Sequence, residues 1–134
     1  MVLLPEYNFD PFSGKSSYAH NSASGHISDC IKWFDKHLGL YLNNNEIKPY
    51  RDISQKIEQF KALHPEEKKL SSLMRDIIQV RNAFQHGHDI PENNKLFLEY
   101  KGNKLELTNE LMQNFQNNYN AVYSWLVEKV NPKI

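Results

Sequence analysis

Residues 81–87 bring an arginine, two amides and a histidine together at the end of a helical pattern. At about 100° per residue, Asn82 and His86 lie on one face of a helix, and Arg81 lies on another face with Gln85. Arg81 is about 140° round from His86, and its long side chain is expected to reach back. An imidazole exchanges protons near neutral pH, and a guanidinium binds a phosphate through paired hydrogen bonds. These residues therefore suit chemistry at a phosphodiester.

The reaction that these groups fit is cleavage of RNA without a metal ion or other cofactor. His86 would accept the proton of a ribose 2′-hydroxyl, which would attack the adjacent phosphorus and leave a 2′,3′-cyclic phosphate. Arg81 would stabilise the charge on the phosphoryl oxygens, and Asn82 would orient the histidine or the substrate. Gln85 and His88 are accessory candidates. His88 is either a second proton-transfer group or a loop residue that faces water.

Four helices are predicted to position this segment. Apolar residues that recur every three or four positions indicate helices over residues 24 or 26 to 45, 50–63, 66–86 and 108–129. Gly87 would end the third helix, and Thr108 is the expected N-cap of the last. His64 is expected on the surface at the end of the second helix. The aromatic residues of the last helix, Tyr119, Tyr123 and Trp125, are expected in the core or at a dimer interface rather than stacked on bases.

Two short alternating runs, residues 96–100 and 104–107, predict a small β-hairpin between the third and fourth helices. This hairpin would form a wall of the site, a dimer contact or an insertion without function. Residues 1–24 contain turn formers and scattered apolar side chains, which predict an irregular N-terminal arm. The chain is thus predicted to be one domain, residues 1–134, with a helical body over 25–134. Its fold class is all-α, a four- to five-helix up-down bundle with a small β-hairpin.

The order of Arg81, Asn82 and His86 resembles the signature of the HEPN superfamily, all-α domains named for their occurrence in higher eukaryotes and prokaryotes. In that family an arginine is separated from a histidine by four to six residues, often with a polar residue such as asparagine directly after the arginine. The resemblance implies a metal-independent endoribonuclease of toxin or antiviral-defence type, with these three residues in its site. It also implies a homodimer with a composite active site, RNA as substrate, and an antitoxin or defence-system partner.

Two features of the family keep other functions open. Some members have lost catalysis and serve as protein-binding or RNA-binding modules, and this chain would then use the motif for structure or for dimer contacts. Toxins that are neutralised by a minimal nucleotidyltransferase often carry a tyrosine two positions after the histidine, where this chain has His88. From the residues alone, nucleotide binding without RNA cleavage is a third reading of the same cation and imidazole.

The composition indicates one globular domain without a basic excess. The 134 residues are 40% hydrophobic and their formal net charge is zero, which counts against extended non-specific RNA binding. Between residues 48 and 81, eight lysines and arginines outnumber five acids, which fits either a local basic cleft or a solvated face. The single cysteine, Cys30, has apolar neighbours that predict a buried, reduced thiol. With no leader and no membrane span expected, the chain is predicted to be cytoplasmic.

A metal site is not expected. His86, His88 and Asp89 are ligand types close in sequence, and His20 or His26 could join them. However, Gly87 breaks the helix between the two histidines, and no second paired cluster is visible. The predicted cofactor requirement is therefore none.

Overall fold

The structure is a computed structural model that describes residues 16–93 and 95–130, with side chains described from residue 23. Its helices are α1 (Ser16–Asn44), α2 (Ile53–Leu63), α3 (Lys68–His86) and α4 (Asn109–Val130). Its strands are β1 (His88–Glu92), β2 (Lys95–Tyr100) and β3 (Asn103–Glu106). The described chain is therefore mostly helical with a small antiparallel sheet, so the all-α prediction is correct for the helices and incomplete for the sheet.

Helix α1 begins earlier than the sequence predicts. It starts at Ser16, so residues 16–24 are helical rather than part of an irregular arm. The residues of this helix before Ala23 are mostly small or polar in the sequence. They lack the apolar periodicity by which a helix is predicted. The rest of the predicted arm, residues 1–15, lies outside the described residues.

The core lies where α4 packs against α1 and α3, with α2 packed on α1 and α3. Large side chains from all four helices are fully buried in it, among them Phe34, Phe60, Met74, Phe115 and Tyr119. The other two aromatic side chains of α4 join this cluster. Tyr123 stacks on Trp33 with ring centroids 4.4 Å apart, and Trp125 meets Phe60 edge-on at 5.3 Å. The prediction that these rings serve packing rather than base stacking is thus confirmed for the core. Within the described residues, no helix combines the length and apolar character needed to cross a membrane.

The sheet has the order β1-β2-β3, and both pairings are antiparallel. The predicted hairpin is present as β2 and β3, and Leu96 and Leu98 of β2 are buried against the helices. The sequence pattern does not predict strand β1. It is an edge strand with mostly exposed side chains and a proline, Pro91, so it lacks the alternating apolar pattern of a half-buried strand.

The predicted N-cap of α4 is confirmed, because the Leu111 N–H donates to Thr108 Oγ1 at 3.0 Å. His64, in contrast, is half-buried rather than a plain surface residue. Its Nε2 accepts a hydrogen bond from the Tyr41 hydroxyl at 2.5 Å, and its Nδ1 donates to Glu66 at 2.9 Å. This histidine therefore ties the end of α1 to the connection between α2 and α3.

Candidate functional site

The residues of the candidate site lie in the last two turns of α3. The helix is fixed in place by a buried stripe that includes Ile77, Ile78, Ala83 and Phe84. It ends at His86, where the Gly87 N–H donates to the Ala83 carbonyl at 2.9 Å. The polar residues therefore stand on the flanks of an anchored helix, which gives them fixed positions.

Arg81 faces a groove between α3 and α1. Its Nη1 donates to Gln85 Oε1 at 2.9 Å, and its Nε is buried without a hydrogen-bond partner among the described residues. Ser28 and Asp35 of α1 also line this groove, which has a volume of about 350 Å³. Asp35 accepts a hydrogen bond from Lys56 at 2.5 Å. The carboxylate in the groove is thus already paired, and Arg81 supplies a cation there that can bind a phosphate.

His86 is exposed at the C-terminal end of α3. Its ring lies next to Tyr100 at the end of β2, with ring centroids 5.8 Å apart and an interplanar angle of 32°. It makes no hydrogen bond to any residue that the structure describes. The imidazole is therefore accessible to solvent or to a bound molecule, as a general base must be.

Asn82 lies on the same side of α3 as His86, as the helical spacing predicts. It is half-buried and borders a groove of about 490 Å³ between α3 and the turn from β2 to β3. Tyr100, Lys101 and Lys104 form the opposite wall. Since Tyr100 also contacts His86, the amide and the imidazole belong to one surface.

Within one chain, Arg81 does not share that surface. Its side chain bonds to Gln85 in the α1 groove instead of reaching back to His86. Of the accessory candidates, Gln85 lies in the α1 groove with Arg81. His88 is the exposed first residue of β1 and lies opposite Glu99 in the register of the sheet. The predicted residues therefore form two groups on the two flanks of α3.

No protein-family model, curated protein or solved structure matches this chain. The resemblance to HEPN domains therefore rests on Arg81, Asn82, His86 and the helices around them. The activity that it implies stays a prediction.

The histidines and the cysteine do not form a metal centre in the described part of the chain. No three His, Cys, Asp or Glu side chains there are close enough together to hold a metal ion. His26 lies elsewhere, with its Nε2 2.7 Å from Gln116 Oε1 and 3.7 Å from the sulfur of Cys30. Burial, with the Asp29 carboxylate adding to it, raises the pKa of Cys30 to about 12. The thiol therefore stays protonated beside the imidazole and is a poor nucleophile.

The hairpin, which sequence analysis gave as a possible wall of the site, contributes residues that the sequence did not single out. Tyr100, Lys101 and Lys104 form one side of the groove at Asn82, and the Lys101 ammonium lies 5.3 Å from the centre of the Tyr100 ring. The available signal was an aromatic residue beside a lysine where β2 meets the turn of the hairpin. Its meaning depends on β2 packing against α3, which local sequence does not specify.

Proposed function

We propose that this protein is a metal-independent endoribonuclease of toxin or antiviral-defence type. The observation that carries the proposal is the exposed imidazole of His86 beside Tyr100, which lines a groove with two lysines and no carboxylate. Such a surface suits a polyanion with a reactive hydroxyl. The site residues are Arg81, Asn82 and His86, as the resemblance to HEPN domains also implies.

The reaction follows from the chemistry of these groups. His86 takes the proton from a ribose 2′-hydroxyl, and the oxygen attacks the adjacent phosphorus as the bond to the 5′-oxygen breaks. The leaving 5′-oxygen receives a proton from the imidazolium or from water, and the other product carries a 2′,3′-cyclic phosphate. Arg81 stabilises the negative charge on the non-bridging oxygens. Asn82, on the same side of α3, orients the imidazole or the substrate.

A second copy of the chain supplies what one chain lacks. Because Arg81 and His86 occupy different flanks of α3, a homodimer is proposed in which Arg81 of one protomer lies beside His86 of the other. The proposal also takes the four helices to form an up-down bundle, with α2 and α3 as an antiparallel hairpin. In the cell, an antitoxin or defence-system protein would control the cytoplasmic enzyme.

One observation favours a second function, that of a catalytically inactive module that binds protein or RNA. The guanidinium of Arg81 already donates to Gln85 of its own chain. If that bond persists when RNA binds, the arginine serves structure rather than catalysis.

The test is cleavage of total and synthetic RNA in the presence of EDTA. Wild-type protein should cleave RNA and leave 2′,3′-cyclic phosphate ends, detected by mass spectrometry. Arg81→Ala and His86→Ala should each lose activity by about 100-fold or more with unchanged circular dichroism. Arg51→Ala and His37→Ala, which replace the same residue types elsewhere on the chain, serve as controls and should retain activity. Folded wild-type protein that leaves RNA intact would favour the binding module.

A further inference from the structure

A polar stripe runs along α3 and ends at His86. Its members alternate in spacing between four and three residues, so they lie in one line along the helix. The stripe consists of Lys68, Ser72, Arg75, Gln79, Asn82 and His86. All of these residues are exposed except Asn82, which is half-buried. At 1.5 Å per residue, the line is about 27 Å long.

Two grooves follow this stripe and meet at Gln79. The near groove, closer to His86, is the one at Asn82, and Tyr100 and Lys101 form its wall opposite α3. The far groove, also about 490 Å³, is lined by Gln79, Arg75 and Lys68 of the stripe and by Lys61 of α2. Because both grooves include Gln79, they form one path from the start of α3 to the candidate site.

The charges along this path favour an anion. No carboxylate lines the near groove, although Lys104 in its wall is paired with Glu92 at 2.8 Å. The far groove has three cations and one carboxylate, Asp76, and its Arg75 is ion-paired with Glu58. Three lysines of the path have no ion pair among the described residues. Lys101 lies at one end of the path, and Lys61 and Lys68 lie at the other. Their separation suits a chain of phosphates rather than a single small anion.

Tyr100 places a half-buried aromatic ring, packed against the core, at the near end of the path. The centre of its ring lies 5.8 Å from that of His86 and 5.3 Å from the Lys101 ammonium. An aromatic ring beside cations is the arrangement by which proteins bind unpaired bases, because any base can stack on the ring while its phosphates meet the cations. In a duplex the bases already stack on each other, so this feature favours a single strand.

We infer that single-stranded RNA binds along the stripe of α3, with a base stacked on Tyr100 next to His86. Lys101 contacts the phosphates near the site, and Lys61 and Lys68 contact those further along the strand. The inference extends the proposed nuclease by defining its substrate as an unpaired strand long enough to reach both grooves. Binding can be measured without cleavage, so the two proposals can fail separately.

The experiment measures fluorescence anisotropy of labelled RNA with the His86→Ala protein, which leaves the strand intact. Adding Tyr100→Leu should raise Kd for single-stranded RNA by about fivefold or more, whereas Tyr100→Phe should bind as before. Lys101→Gln should reduce the slope of log K against log salt concentration by about 0.7, the value for one phosphate contact on a single strand. Lys36→Gln, an exposed lysine of α1, is the matched control and should change neither quantity. Circular dichroism checks that each variant is folded.

Strand length tests the far groove. The double variant Lys61→Gln/Lys68→Gln should weaken binding of a strand of about 20 nucleotides, which is long enough to reach both grooves. It should not affect binding of a strand of about four nucleotides, the smallest site size of single-strand binders. An unchanged Kd for Tyr100→Leu, or a duplex or polyglutamate that binds as tightly as the single strand, would overturn the inference. Wild-type cleavage with no effect of Tyr100→Leu would leave the nuclease proposal standing without this path. If the variants lose binding as expected but wild-type protein does not cleave RNA, the binding path stands and the nuclease proposal fails.

Discussion

The rings of His86 and Tyr100 lie 5.8 Å apart between centroids, which places the end of α3 and the end of β2 at the same surface. The contact joins the motif helix to β2, which follows it in the chain after strand β1. It depends on a close approach of the two backbones at Gly87, directly after the motif. The position of the candidate general base is thus coupled to the packing of the sheet on α3.

Replacing Gly87 by alanine should destabilise the protein and disturb this contact. The backbone at Gly87 is extended, with φ −78° and ψ 164°, so its conformation does not require glycine. A Cβ there, however, would collide with the carbonyl oxygen of Ala83 and lie 3.1 Å from that of Glu99 in β2. We expect a loss of about 1–3 kcal/mol in the free energy of unfolding, measured by urea denaturation, typical of overpacking at a rigid site.

Gly25→Ala is the matched control for this prediction. Gly25 lies within α1, and an added Cβ would have no heavy atom within 4 Å. Alanine should therefore stabilise the helix by roughly 0.5–1 kcal/mol. Equal effects of the two substitutions would show that steric contact at Gly87 is not the reason for a glycine there.

The sequence predicts what depends on periodicity and misses what depends on tertiary contacts. The buried apolar face of α3 and the N-cap at Thr108 are local patterns, and both are found. The direction of the Arg81 side chain is not local, because a long side chain on a helix flank can turn towards either neighbouring groove. The arrangement of His64 likewise depends on Tyr41, which is 23 residues away in the chain.

Glu66 should contribute stability that depends on pH. Its pKa is lowered from 4.5, first by a hydrogen bond from its own backbone N–H and then by the side chain of His64. Since the folded pKa lies below the unfolded value, this contribution is present above pH 4.5 and is lost as the pH falls through the folded pKa. Wild type should therefore be more stable than Glu66→Gln at pH 7, and the difference in urea midpoints should shrink below pH 4.5. A difference in urea midpoints that stays constant from about pH 3 to about pH 7, a range that includes the usual carboxyl pKa, would contradict this prediction.

Cys30 should be unreactive while the protein is folded. Its side chain is 1% exposed and its pKa is raised from 9.0 to about 12. A thiol reagent at pH 8, about where a free cysteine begins to ionise, should label it only after denaturation. The raised pKa also predicts that stability is full below pH 9.0 and falls as the pH rises towards 12. Cys30→Ala should reduce this alkaline slope by up to about 1.4 kcal/mol per pH unit. Rapid labelling of the native protein would show that the thiol is accessible.

The division of Arg81 and His86 between two flanks of α3 predicts that inactive variants will complement each other. In a heterodimer of Arg81→Ala with His86→Ala, one of the two composite sites combines the intact Arg81 of one protomer with the intact His86 of the other. The second site contains both alanines. An equal mixture that exchanges subunits freely should recover about a quarter of wild-type cleavage, because half of its dimers are heterodimers with one intact site. Sedimentation should show a dimer for each protein.

The control for complementation is a mixture of Arg81→Ala with the double variant Arg81→Ala/His86→Ala. Neither protein in this mixture has Arg81, so the mixture should stay inactive whichever way the subunits pair. Activity in the first mixture and not in the second would place the two groups on different protomers, in agreement with their positions on different flanks of α3 within one chain. If neither mixture cleaves RNA while wild type does, both groups must act from the same protomer. Arg81 would then have to leave Gln85 and turn towards His86 when RNA binds.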